Sequence, residues 1–500
     1  MTRVLLLFLG ITGTVLSAES PPPNIILFMA DDMGMGDTSA YQSFTKNPDK
    51  VQISTPNMDK LARAGILFTD AHTPGTRCTT TRYGLMTGRY CFRSRLKYFV
   101  LFGVQGDPLI ERDRPTIASL LNDAGYRTGM FGKWHVGLRY RQSNGRPADG
   151  WEDADLTEPL YTSPLDHGFD QAIFTSRSHA TSGPRFSDHP EGKNPQKGNG
   201  PEQNKGPGHI DGRTVIAASE KGKQLKEEAG TGYHLRKLGG WHSDNAMQFL
   251  ENHLAVDDTA SKPFFVYYPA NSNHTPYTPD KQIGGVPVAG AARSVAGEDL
   301  DIRADYIYEN DVALGRLMNW LEETDDPRIP GQKLAHNTLV IFTSDNGAEI
   351  QAKSATGPFR SNKGSCYEGG HRVPLIASWP AGSIGDGDAT TAGQTSDQLV
   401  SLVDLYATFS EIIGKPAPDW QAGEKGGEDS HSILPQLRGK VAPEPRIQLY
   451  ADNKDVGKGN DPAEIALRWQ QWKALFKPSL LRSGEPQIYE LYDLDADPRE

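Results

Sequence analysis

The run Asn24-Ile25-Ile26-Leu27-Phe28-Met29-Ala30-Asp31-Asp32 decides how the chain folds. An unbroken apolar stretch of this length, with Pro21-Pro22-Pro23 before it and Gly34 soon after, predicts a strand buried on both faces. Such strands belong to parallel sheets covered by helices on both sides. Two adjacent carboxylates then leave the strand at the rim of the core. Alone, Asp31 and Asp32 read equally well as a solvated loop. Against a core they need a partner, and a metal ion is a common one.

Outward from this strand the same pattern repeats. Apolar runs at 126–131, 263–268 (PFFVYY), 337–343 (NTLVIFT) and 373–379 predict further buried strands, with a short one at 66–68. Helical segments fall between them. One opens at Thr55 with Pro56 at its first position and closes at Gly65. Others are expected over 116–123, 241–254, 302–323 and 400–413. The alternation predicts an α/β fold, a large mostly parallel sheet sandwiched by helices. From about Arg446 the pattern shifts to short alternating segments at 447–450, 463–468, 473–477 and 488–491, which predict a small antiparallel sheet. The expected organisation is a leader over 1–18, a catalytic domain over 22–440 and a C-terminal subdomain over 441–500. Residues 140–215 read as irregular insertion or lid loops, as does the small-residue stretch 284–297. No internal repeat is apparent.

Bulk properties narrow the function classes. The formal charge of −11 argues against nucleic acid as a partner, although a few convergent cations still allow an anionic substrate. Arg3, an apolar run from Val4 to Val15 and small residues at Ser17 and Ala18 form a secretory signal. The expected location is secreted or periplasmic. No later run is long and apolar enough to predict a membrane span. Three cysteines (Cys78, Cys91 and Cys366) are too few for a disulfide framework, and the odd count leaves at least one thiol unpaired. Whether Cys91 and Cys366 pair is open.

Polar residues stand where the strands end: Asp31 and Asp32, then Lys133 and His135, then His274, then Asp345 and Asn346. In an open parallel sheet, sites form at the carboxyl ends of strands, so all four groups are expected on one edge. Asp31, Asp32, Asp345 and Asn346 offer hard oxygen ligands, which suit Ca²⁺ or Mg²⁺ and not zinc. None of the 13 histidines forms an H-x-x-x-H or H-E-x-x-H pair. Arg82, Lys133 and Lys363 add fixed cations, and His135 and His274 can move protons. Cys78 follows the Pro74-Gly75 turn and opens a short helix closed by Gly88. Arg82, four residues on, shares its face. Each of these residues alone has an ordinary structural reading. Together they describe a metal and three cations around a nucleophile position, an arrangement that stabilises a compact oxyanion in transfer.

With those residues in place, the chain closely resembles the formylglycine-dependent sulfatases of the alkaline-phosphatase-like superfamily. The resemblance runs from the Asn24–Asp32 segment to Tyr489-Glu490-Leu491-Tyr492-Asp493-Leu494-Asp495-Ala496-Asp497-Pro498, through Leu85-Met86-Thr87-Gly88-Arg89, Gly132-Lys133-Trp134-His135, His274-Thr275-Pro276, Ser344-Asp345-Asn346-Gly347 and Tyr367-Glu368-Gly369-Gly370. It implies that a maturation enzyme oxidises Cys78 to formylglycine, whose hydrate is the nucleophile. It also implies that Asp31, Asp32, Asp345 and Asn346, with residue 78, bind one Ca²⁺. By the same resemblance Lys133 and Arg82 hold the formylglycine, Lys363 binds a sulfate oxygen, His274 protonates the leaving alcohol and His135 accepts a proton. The family pattern carries Pro or Ala two residues after the cysteine, and this chain has Thr80. Two other readings remain: a phosphoesterase of the same superfamily, and a non-catalytic binder of sulfated glycans with Cys78 unmodified. The expected substrate is a sulfated small molecule or carbohydrate. Arg177, His179 and Arg185 are candidates for a second anionic group on it.

Overall fold

The computed structural model describes residues 21–45, 52–97, 99–101, 108–149, 153–182, 208–216, 233–349, 357–416, 418–452, 464–476 and 488–500. The leader read over 1–18 and Arg185 lie outside them.

Ten strands form the main sheet: β1 (Asn24–Ala30), β2 (Ile66–Phe68), β3 (Arg127–Lys133), β4 (Gln171–Thr175), β5 (His209–Asp211), β6 (Thr214–Val215), β7 (Phe264–Pro269), β8 (Thr338–Ser344), β9 (Leu375–Ser378) and β10 (Gln394–Ser396). Their order is β10-β2-β9-β8-β1-β7-β3-β4-β5-β6. The five central strands, β8 to β4, run parallel. β9 pairs antiparallel with β8 and β2, and β5 pairs antiparallel with β4.

The unbroken apolar character of β1 follows from its place. Ile25, Leu27 and Met29 face one core cluster, and Ile26, Phe28 and Ala30 face the other. On the first side pack the helices α2 (Cys78–Thr87), α3 (Ile117–Asn122) and α6 (Leu405–Ile412), through residues such as Leu85, Leu121 and Phe409. On the second pack α1 (Pro56–Ala64), α4 (Leu238–Leu254) and α5 (Ile302–Glu323), through Leu61, Phe249 and Leu317. Each large β1 side chain is fully buried, which stabilises the fold by about 1.5–3 kcal/mol apiece. Along α5, Tyr306, Ala313, Leu317 and Leu321 are buried, while Trp320 is half-buried.

A second sheet of four antiparallel strands, β11 (Ile447–Asp452), β12 (Glu464–Trp469), β13 (Trp472–Phe476) and β14 (Ile488–Asp493), follows in simple meander order. Buried ion pairs dock it on the main body. Lys473 Nζ lies 2.9 Å from Glu368, both fully buried, and Arg468 lies 3.1 Å from Asp70.

Three expectations are corrected. Residues 140–215 supply strands β4, β5 and β6 of the main sheet, so that stretch is not merely loop. The stretch 284–297 includes one arm of a small hairpin, Gln282–Ile283 paired with Val286–Pro287. The segment from Val400 begins extended, pairing with Ala71–His72, and helix α6 starts only at Leu405. Cys78, Cys91 and Cys366 are all buried and none is part of a disulfide, so Cys91 and Cys366 do not pair. No helix among the described residues is long and apolar enough to cross a membrane.

Candidate active site

Successive residues of a strand point to opposite faces, yet Asp31 and Asp32 serve one site. Just past β1 the backbone turns: Asp32 has φ +57°, the left-handed region that Asp tolerates better than most residues. The alternation breaks there and both carboxylates converge. Hydrogen bonds continue beyond the strand ends, from Asp31 N–H to Ser272 O at 2.8 Å and from Asp345 N–H to Ala30 O at 3.1 Å. They bring the ends of β7, β1 and β8 into register.

Lys133 closes β3, and Gly132 before it has φ +141°. A Cβ at Gly132 would lie 1.9 Å from the Pro269 carbonyl oxygen, so only glycine lets β3 run this close to the end of β7.

Helix α2 is buried along its whole length despite four threonines. Their hydroxyls are satisfied locally: Thr79 donates to His135 O, Thr80 to Arg77 O, Thr81 to Gly75 O and Thr87 to Tyr83 O. Gly88, at φ +64°, ends the helix. Cys78 and Arg82 therefore sit on one face of a helix held by polar bonds in an apolar layer.

These elements bring Asp31, Asp32, Cys78, Arg82, Lys133, His274, Asp345, Asn346 and Lys363 together. Arg82 donates to Asp345 Oδ2 from Nε at 3.1 Å and from Nη2 at 2.7 Å, and to Lys133 O at 2.8 Å. Lys133 Nζ donates to Asp31 Oδ2 at 2.7 Å, and Lys363 Nζ to Asp32 Oδ2 at 2.6 Å. Cys78 Sγ lies 3.7 Å from Asp31 Oδ1, and His274 Nε2 lies 3.9 Å from Asp32 Oδ2. His135, at φ +57°, joins through the fields of Lys133 and Arg82. Its Nε2 donates to Leu101 O at 3.3 Å, and its buried Nδ1 has no partner among the described residues.

Burial and charge set the protonation states. Burial, then the Asp345 carboxylate, push Asp31 up to about 8. Burial works against the Asp32 charge, but the Lys363 ammonium, with His274, Lys133 and the Asn346 hydrogen bond, together outweighs it and holds Asp32 below the usual carboxylate range. Burial, then Asp345, push the Cys78 thiol up to about 12, so an unmodified Cys78 is no thiolate near neutral pH. Burial and the Lys363 charge push His274 well down; burial, Lys133 and Arg82 do the same to His135.

The donor set fits a hard divalent cation. Ligand atoms of Asp31, Asp32, Cys78 and Asp345 all lie within 4.8 Å of one another. Asn346 Nδ2 donates to Asp32 Oδ1 at 2.7 Å, while its buried Oδ1 has no partner among the described residues. Three buried carboxyl groups face three buried cations here. A divalent ion would favour the ionised form of Asp31 and add positive charge, as an anionic substrate requires.

Of the three residues considered for a second anionic group, two are described. Arg177 follows β4 and is buried, which pushes it down to about 10; its charge acts on His135. His179 donates from Nε2 to Pro276 O at 2.9 Å, and its ring meets that of His274 edge-on at 6.0 Å. The sequence reading missed Glu349 and Thr275. The Thr275 hydroxyl donates to Glu349 Oε1 at 2.7 Å beside Lys363 and Asp32. An acid four residues after Asp345, in the loop leaving a site strand, was the available signal.

The parallel sheet, its oxygen-rich cradle and the convergent cations define a hydrolase of the alkaline-phosphatase-like superfamily. Within that class the chain belongs to the sulfatase family, whose profile matches residues 23–415, and it hydrolyses sulfate esters. It is 27% identical to the N-acetylgalactosamine-6-O-sulfatase of Bacteroides thetaiotaomicron, over 96% of this chain and 89% of that protein. It is 30% identical to human arylsulfatase A, over 97% of this chain and 83% of that one. Among solved structures it is similar to the PsFucS1 sulfatase from Pseudoalteromonas sp., with a TM-score of 0.66 and 25% identity over 96% of this chain and 85% of that chain.

Proposed function

We propose that the chain removes sulfate from a sulfated carbohydrate, with Cys78 converted to formylglycine and one Ca²⁺ held by Asp31, Asp32, Asp345, Asn346 and residue 78. The observation that carries this reading is the cluster of three carboxylates around Cys78, with Asn346 bonded to one of them, Asp32, and its own Oδ1 unpartnered among the described residues. The carbohydrate part rests on the similarity to an N-acetylgalactosamine-6-O-sulfatase.

When formed and hydrated, the formylglycine supplies one hydroxyl oxygen to attack sulfur and a second whose deprotonation expels sulfate, while Ca²⁺ supplies positive charge beside it. The remaining work falls to this chain's side chains. Lys363 keeps its proton, because the surrounding acids, Asp32 foremost, together more than offset burial, and it grips a sulfate oxygen. Lys133 and Arg82, fixed by Asp31 and Asp345, hold residue 78 in place.

The two histidines divide by tautomer. His274 Nδ1 donates to Thr275 O at 2.6 Å, so Nε2, on the side of Asp32, is the nitrogen through which a proton passes to the leaving alcohol. His135 donates from Nε2 to Leu101 O, which leaves Nδ1 as a lone-pair acceptor and suits a base. Thr80 bonds the Arg77 carbonyl within its own turn, and the departure from the family pattern leaves these groups intact.

The test is mass spectrometry of the peptide carrying Cys78 from protein made in its native host, with turnover measured on sulfate and phosphate monoesters. Formylglycine with sulfate-ester turnover is expected. An intact thiol with no sulfate-ester turnover would sink the reading, and faster turnover of phosphate monoesters would favour the phosphoesterase.

A further inference from the structure

The loop leaving β8 carries a carboxylate that the chemistry above does not use. Glu349 stands three residues beyond Asn346. The Lys363 backbone N–H donates to Ala348 O at 2.9 Å, which ties this loop to the one bearing Lys363. Glu349 Oε1 accepts from the hydroxyl of Thr275, the neighbour of His274. Glu349 Oε2 is buried and has no hydrogen-bond partner among the described residues.

The cation that acts on it is engaged elsewhere: Lys363 Nζ is bonded to Asp32. A carboxylate oxygen kept from water without a donor is costly. Holding one beside the catalytic cluster makes sense where the ligand brings the donor, and on a sugar ester the available donors are hydroxyls.

We propose that Glu349 is a substrate-recognition residue, its Oε2 accepting a hydrogen bond from a sugar hydroxyl that neighbours the sulfate ester. The assignment rests on the carbohydrate reading above. The same carboxylate repels a second sulfate or carboxylate at that hydroxyl's position, so Glu349 selects for a donor and against an anion.

The experiment compares wild type, Glu349→Gln and Glu349→Ala on monosulfated monosaccharides, N-acetylgalactosamine 6-sulfate among them, and on 4-nitrophenyl sulfate, which has no hydroxyl. For the sugar that wild type hydrolyses best, the ratio of its kcat/KM to that on 4-nitrophenyl sulfate falls roughly 10- to 100-fold in both variants. An unchanged ratio overturns the assignment, because a merely structural role lowers both activities together. Should the variants melt before assay, wild type is compared on that sugar and its deoxy congeners. A loss of about tenfold or more on removing one hydroxyl near the ester is expected, and equal turnover of all congeners overturns the proposal. Wild-type hydrolysis of 4-nitrophenyl sulfate but of no sulfated sugar overturns the carbohydrate reading and this assignment with it. Turnover of sulfated sugars with an unchanged ratio overturns the Glu349 assignment alone.

Discussion

Replacing Gly132 by alanine tests whether backbone spacing beneath the site fixes its geometry. The new Cβ would lie 1.9 Å from Pro269 O and 2.7 Å from its carbonyl carbon, while real Cβ atoms essentially never approach closer than 3.0 Å. One strand must therefore retreat by about 1 Å. The backbone at φ +141° adds strain of about 1–3 kcal/mol for a side-chain-bearing residue, and overpacking against a strand adds about 1–3 kcal/mol. A total loss of roughly 2–6 kcal/mol is expected. The displacement falls one residue from Lys133, whose ammonium must meet Asp31 at 2.7 Å, and misplacement on this scale costs about 100-fold in rate. Gly132→Ala should melt earlier in urea and lose about two orders of magnitude in kcat/KM on 4-nitrophenyl sulfate. A variant with wild-type melting and turnover within about twofold of wild type would refute the reasoning, since it would show that β3 and β7 yield without cost.

Three further outcomes follow from buried charge. Burial pushes Glu309, on α5 under the Ser272 and Asp280 loop, from its ordinary 4.5 up to about 8; the folded state then binds the extra proton between those values, so wild-type stability falls as pH rises through that window, by an amount on the order of a few kcal/mol. Glu309→Gln should remove that part of the slope, and melting curves at pH values across the window with identical slopes would contradict it. Lys473→Met removes the buried ammonium that lies 2.9 Å from Glu368 and 2.7 Å from Glu500, leaving Glu368 paired with Arg372 at 3.1 Å; a loss of about 3–5 kcal/mol is expected in denaturant unfolding, with partial recovery when Glu368→Gln is added. Chelation of divalent metal should lower the melting temperature and Ca²⁺ should restore it, with weaker Ca²⁺ binding by calorimetry in Asn346→Ala; melting unaffected by chelator would count against the cradle as a metal site.

The fold was legible where burial is two-sided. β1, β7 and β8 announce themselves as apolar runs, and the acids at the ends of β1 and β8 mark the edge where chemistry gathers. β4 was not legible: Gln171–Thr175 is short and sits in a polar stretch, and pairing with β3 makes it a strand. The start of α6 was misplaced because Val400 and Ser401 prefer a partner strand, although Ser401-x-x-Asp404 marks a helix start, with Asp404 Oδ2 accepting from the Ser401 N–H at 3.1 Å. The left-handed backbone at Asp32 and His135 has no sequence signature, since neither is glycine. Glu349 was missed because a lone acid in a loop looks solvated until its buried oxygen is seen.

The position of β1 sets how the site breathes. It is bonded on both sides, to β7 and β8, in the middle of the sheet, so its amides should exchange with solvent only when the whole molecule opens. Asp31 and Asp32 inherit that rigidity. His274, Lys363 and Glu349 ride on loops, which open at lower free energy. The half of the site that grips sulfate and sugar can thus release product by local excursions while the carboxylate half stays assembled from one turnover to the next.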